Sequence, residues 1–138
     1  MAQLNPYITF SGNCRAAFDF YKFCLGGNLT LQTVGESPMA DQMPAMQDLI
    51  MHVSLATGTL TLMGSDMLGP EGLTAGNNMT LSLNCDSEKE INDYFAKLSV
   101  GAKVTHPLKE EFWGGIYGDF TDQFGVRWML NYQKQPMP

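Results

Sequence analysis

The amino-acid sequence states one pattern twice, and this repetition limits the available folds more than any other feature. A strand, an amphipathic helix closed by glycine and three further strands are predicted over residues 4–65, and the same order recurs over 79–132. Helix landmarks pair at a constant spacing: Ala16 with Ile91, Phe20 with Phe95, Phe23 with Leu98, Gly26 with Gly101, Leu29 with Val104 and Thr30 with Thr105. The last strands pair as well, GTLTLM (Gly58 to Met63) against GVRWML (Gly125 to Leu130). Internal repetition of this kind is the signature of a duplicated structural unit. The fold class that follows is α+β, built from two βαβββ modules. A helix covers one face of each four-stranded sheet; set side by side, the uncovered faces make a concave mixed-sheet trough suited to a small molecule.

At 138 residues the chain is expected to be one domain spanning 1–138, with module one about 4–65, a linker over 66–78 and module two about 79–132. A hydrophobic share of 44% supplies a core and argues against disorder. Net charge is −6 with 8 Lys and Arg residues and no basic cluster, so a nucleic-acid partner is not expected. No apolar run approaches the roughly 20 residues that span a bilayer, and no basic-then-apolar leader opens the chain. Cys14, Cys24 and Cys85 follow no metal or disulfide spacing and are expected as small apolar fillers, which fits a reducing cytoplasm.

Within module one, residues 4–10 read as a strand, and Ser11 or Asn13 is placed to cap the following helix. On that helix Ala16, Phe20 and Phe23, with Ala17 and Cys24 beside them, form the expected apolar stripe. Residues 36–48 are acidic, proline-punctuated and rich in methionine without a steady period, and read as a mobile loop or flap. Strands at about 49–56 and 59–65 complete the module. Module two opens on a strand at 79–85, and Ser87 with Glu90 has capping-box spacing. Ile91, Tyr94, Phe95 and Leu98 give a helical face, strands follow at about 102–106, 115–121 and 126–132, and residues 134–138 read as a frayed tail.

The stretches PYITFSGNCRAAFDFYKFCLGG, LIMHVSLATGTLTLMGSD and FWGGIYGDFTDQFGVRWML resemble the PhnB-like branch of the vicinal-oxygen-chelate superfamily, which includes glyoxalase I, bleomycin-resistance proteins and extradiol dioxygenases. The resemblance spans residues 4–132, and its specific part is Phe-Trp-Gly-Gly followed by Asp-x-Phe-Gly-x-x-Trp. It implies a divalent metal held by the first and fourth strands of each module. Placed on this chain, those positions are Asn5 or Pro6 with Leu62, and Thr80 with Met129. None is a His, Glu or Asp, the donors such ions require. No cofactor is therefore expected, and a divalent metal only with ligands outside the usual family positions. Nor does the chain carry the glycine-rich strand-to-helix loop of a nucleotide-like cofactor site.

Candidate ligand contacts are His52, Trp113, Tyr117, Arg127, Met129 and Leu62. His52 supplies an imidazole that titrates near neutrality. Trp113 stands beside Gly114-Gly115, where missing side chains admit close approach. Tyr117 is placed to share its face. Alternation puts Arg127 and Asn131 with Met129, and Trp128 and Leu130 under the helices. Arg127 offers a planar fork for a carboxylate or phosphate. His106, directly before Pro107, is expected to be exposed or structural, and Asp122 and Asp66 to serve turns. No residue is assigned a catalytic role. The function expected is metal-free binding of a small hydrophobic or aromatic molecule, in a homodimer. The alternatives are a divalent-metal-dependent lyase, transferase or dioxygenase of the vicinal-oxygen-chelate type, and a structural dimer whose trough is filled by its own side chains.

Overall fold

The structure is a computed structural model that describes residues 1–134. The chain divides into two compact units, Met1–Thr74 and Ala75–Pro138. Unit one runs β1 (Tyr7–Thr9), α1 (Cys14–Leu25), β2 (Asn28–Thr33), β3 (Ile50–Ala56) and β4 (Thr61–Ser65). Unit two runs β5 (Leu81–Asn84), α2 (Glu88–Leu98), β6 (Lys103–Glu110), β7 (Gly115–Thr121) and β8 (Arg127–Gln133). The sheets have the same order, β1-β4-β3-β2 and β5-β8-β7-β6. In both, the first strand pairs parallel to the fourth and the remaining pairs are antiparallel. The two βαβββ modules are thus present, each with its first and fourth strands as neighbours.

One face of each sheet is covered by its helix. In unit one Val53, Leu55 and Leu62 lie at 1% exposure or less, together with Phe18 and Tyr21 of α1. In unit two Trp128, Leu130 and Phe120 meet Ile91 and Leu98 of α2. The stripe on α1 differs from expectation. Cys14, Ala17, Phe18, Tyr21, Cys24 and Leu25 are buried, whereas Ala16 is exposed and Phe23 stands 71% exposed. The reason is the helix end: α1 stops directly at Gly26, but α2 stops at Leu98 and runs through Ser99 and Val100 before its glycine. Pairing the glycines therefore misaligns the helix faces, and burial matches Leu25, not Phe23, with Leu98. The glycines themselves do what their composition demands, with φ of +74° at Gly26 and +73° at Gly101.

Helix starts show the same division between local and distant signals. Ser87 accepts from the Glu90 backbone N–H at 3.0 Å, as its spacing requires, while the Glu90 carboxylate accepts from Asp86 N. Asn13 makes no side-chain cap. Asp66, just past β4, does that work: Oδ1 accepts from Gly12 N (2.9 Å) and Cys14 N (3.1 Å), and Oδ2 from Ile50 N (2.9 Å). Asp122 has the matching task in the β7–β8 hairpin, accepting from Phe124 N, Val126 N and Trp128 Nε1. Both aspartates are 4% exposed, and a buried carboxylate persists only when its lone pairs are met in this way.

The 36–48 stretch, expected as a mobile loop or flap, carries short helical turns. It forms 3-10 turns at Val34–Glu36, Ala40–Gln42 and Pro44–Met46, the first closed by a capping box between Thr33 and Glu36. β6 is longer than expected, because it continues through His106-Pro107 to Glu110 as an edge strand, where a missing N–H is tolerated. Two register irregularities flank His106. The tail expected over 134–138 lies, from 135 onward, outside the described residues; Lys134 pairs with Glu110 at 2.7 Å. All three cysteines are buried, and burial pushes the Cys14 and Cys85 thiols up to about 12. No helix of the described residues is long and apolar enough to cross a membrane.

Candidate functional site

The open face of the second sheet carries a connected polar group. Residues paired across strands share a face, so Met129 brings Asp119 with it, and Asp119 brings His106. Tyr117 and Arg127 follow by alternation along β7 and β8. The Asp119 carboxylate is the hub. Its Oδ2 accepts from the Tyr117 hydroxyl at 2.7 Å and lies 2.9 Å from His106 Nδ1, whose other contact is Oδ1 at 3.0 Å. A carboxylate only accepts, so this nitrogen carries the proton and Nε2 of the neutral ring is left as an acceptor. Burial, then the hydrogen bond to Asp119, pushes the Tyr117 phenol up to about 12, so it remains a donor. These side chains, with Thr80, Arg127 and Met129, line a cavity of about 210 Å³. The Arg127 Nη1 donates to the Asn77 carbonyl, and among the described residues no carboxylate pairs with the guanidinium.

The first sheet presents a sparser face. Tyr7 pairs with Met63, Met63 with Ser54, and His52 lies two residues along β3. The Tyr7 hydroxyl is 3.1 Å from His52 Nδ1, and the two rings are tilted with centroids 5.6 Å apart. A separate cavity of about 310 Å³ lies where the 3-10 turns meet the end of β4, walled by Met43, Met46, Met67, Leu49 and Leu68. Asp66 reaches this cavity too, with three backbone N–H groups already on its carboxylate.

The sequence family profile described as Glyoxalase/Bleomycin resistance protein/Dioxygenase superfamily matches residues 3–130. The chain belongs to that superfamily. Among its relatives, Protein YjdN of Escherichia coli (strain K12) is 32% identical over 142 residues, covering 96% of each chain. Among solved structures, protein PA1353 from Pseudomonas aeruginosa superposes with a TM-score of 0.83 at 40% identity, over 96% of this chain and 98% of that one. A Bacillus cereus structure described as a putative 3-demethylubiquinone-9 3-methyltransferase, PhnB protein, matches with a TM-score of 0.72 at 21% identity, over 95% and 99%. At that identity the likeness concerns the fold.

Superfamily members often hold a metal, and the donor positions here can be tested against that. In unit two, Thr80 and Met129 do face one cavity, as the resemblance implies. In unit one the fourth-strand position is Met63 and not Leu62. Leu62 is 1% exposed and lies in the helix-covered core, whereas Met63 stands beside Tyr7 on the open face. The cause is hairpin length. Four residues separate Ala56 from Thr61, but five separate Thr121 from Arg127, so matching Gly58 to Gly125 slips the strand by one residue. A one-residue slip exchanges the faces. The corrected donors are an amide, a hydroxyl and two thioethers, which do not fit a divalent superfamily ion. Among the described residues no three His, Cys, Asp or Glu side chains are grouped to hold one.

Of the candidates named from sequence, Tyr117, Arg127 and Met129 meet in the unit-two cavity. His52 is on the open face of the first sheet. Trp113 stands in the turn between β6 and β7, 42% exposed and edge-on to Phe112 at 5.2 Å, away from Tyr117's cavity. The group that approaches Gly115 is the Trp113 indole itself. Two site members, His106 and Asp119, had been given no such role. Alternation from Tyr117 points to Asp119 directly; His106 has no comparable signal, because the irregularities around it break the period.

Proposed function

We propose that the protein binds a small molecule on the open face of its second sheet, oriented by side chains and without a metal ion. The observation that carries this reading is the hydrogen-bonded Tyr117–Asp119–His106 group at a cavity that also presents the Arg127 cation and the Met129 thioether. A few precisely placed polar groups converging on one cavity are what orients a small molecule. The amide, hydroxyl and thioethers at the family's metal positions support the same conclusion, since they offer a hard ion little. A homodimer belongs to this reading, supported by the exposed Phe112 and Trp113 pair. So does the cytoplasm, supported by three buried cysteines at spacings that suit no disulfide framework.

Elemental mass spectrometry on untagged protein purified without chelators, repeated after incubation with zinc, nickel, manganese or iron(II), tests it. The expected result is no stoichiometric ion under any condition, with native mass spectrometry showing a bound organic molecule. One tightly held ion per unit would overturn the metal-free reading and favour lyase, transferase or dioxygenase chemistry.

A further inference from the structure

We infer that the second-sheet cavity is specific for a hydroxylated aromatic carboxylate, with the carboxylate on Arg127 and the ligand hydroxyl donating to His106 Nε2. The inference rests on the metal-free reading above and names its ligand class. Three features carry it. Arg127 is the cavity's unpaired cation among the described residues, and a guanidinium fork matches a carboxylate with two parallel N–H bonds.

The second feature is the acceptor. Asp119 fixes a proton of His106 on Nδ1, and Tyr117 holds Asp119 from the far side, so the ring when neutral presents Nε2 with a lone pair and a set direction. The His106 side chain is 67% exposed, whereas Asp119 is 21% exposed and already occupied by its two partners. A ligand therefore meets the imidazole first.

The third feature is size and floor. An enclosed cavity of roughly 150 Å³ holds one benzene ring; the open cleft here, at about 210 Å³, has room for one ring with small substituents. Met129 lies on the same face between Arg127 and Asn131, and a thioether against a ring is a favourable contact. A dianionic or purely apolar ligand would leave either Asp119 repelled or Arg127 unmatched.

The test uses three probes of one shape: meta-hydroxybenzoate, benzoate and phenol, titrated into the full-length protein at pH 8 and followed by NMR. meta-Hydroxybenzoate is expected to bind tightest and to move resonances of residues 115–131, with benzoate weaker by about tenfold for the lost hydroxyl–imidazole bond and phenol weaker by at least about tenfold for the lost Arg127–carboxylate pair. Arg127→Gln should weaken both carboxylates about tenfold and leave phenol unchanged. His106→Phe should make meta-hydroxybenzoate and benzoate equal. Both residues are outside the core, and the unperturbed spectrum of each variant checks its folding. Equal affinity for all three probes, or an Arg127→Gln protein that keeps its preference for carboxylates, would overturn the specificity while leaving metal-free binding intact. Silence from every probe at the second sheet would overturn the ligand class. The metal measurement above then judges the parent reading on its own.

Discussion

The two units share a skeleton and differ where the skeleton is uncovered. Strand order, parallel first-to-fourth pairing and helix-covered cores are common to both. On the open faces, unit one offers one phenol–imidazole contact, Tyr7 with His52, whereas unit two joins a phenol, a carboxylate and an imidazole beside an arginine. Packing holds the covered face, because any change there must still fill the space under a helix. The open face carries no such demand and is where chemistry diverges. Even within the cores the same problem has opposite solutions. The third- and fourth-strand pair is Val53 with Gly64 in unit one, and Gly118 with Leu130 in unit two. In each case the glycine lies beneath a helix aromatic: a Cβ at Gly64 would stand 2.7 Å from the Phe18 ring, and one at Gly118 2.7 Å from Phe95.

The largest expected effect compares the two buried aspartates. Asp66→Ala leaves three backbone donors from α1, its entry and β3 without an acceptor. We expect a loss of about 3–5 kcal/mol in urea unfolding. Asp122→Ala also orphans three donors, Phe124 N, Val126 N and the Trp128 indole, but all three lie in or beside one hairpin, so it should cost less. Equal losses would mean that hairpin closure matters as much as tethering a helix. Next come the glycines. Gly64→Ala and Gly118→Ala should each cost about 1–3 kcal/mol by overpacking, and the pair Gly64→Ala with Phe18→Leu should recover part of it. No recovery would show that backbone crowding against the Ile8 carbonyl dominates.

A smaller effect separates the units by pH. Cys14, Cys85 and Tyr117 are all raised to about 12 in the folded protein. A raised folded value means that the native state holds its proton more tightly than the unfolded chain. The stability each contributes is whole below the unfolded values, about 9 for a thiol and 10 for a phenol, and is lost as pH climbs toward about 12. Chemical denaturation at rising pH should show this decline, and Tyr117→Phe should remove only the phenol's share. The smallest expected signal is a tautomer difference. Long-range nitrogen NMR should find the proton of neutral His106 on Nδ1, as Asp119 requires; a proton on Nε2 would break the unit-two relay.

Much of the fold was legible because periodicity and repetition are properties of the chain itself. Trp128 and Leu130 fell under the helix as alternation from Met129 predicts, and Arg127 shared Met129's face. What failed did so where a count of residues changed. One additional hairpin residue moved Leu62 to the wrong face, and the longer exit from α2 misplaced the stripe on α1. His106 was obscured because Pro107 looks like a strand end, while an edge strand accepts it. Asp66 reaches a helix start more than fifty positions earlier, a partnership no local pattern records.

The burial of every cysteine has a practical side. Cys14, Cys24 and Cys85 stand at 0%, 2% and 7% exposure, so thiol-directed dyes have little to attack in the native protein. A thiol introduced by Thr105→Cys, at an exposed residue on the rim of the second-sheet cavity, would be the one site such a dye finds. The wild-type chain is thus a ready scaffold for a fluorescent reporter of its own occupancy, with no cysteine to remove beforehand.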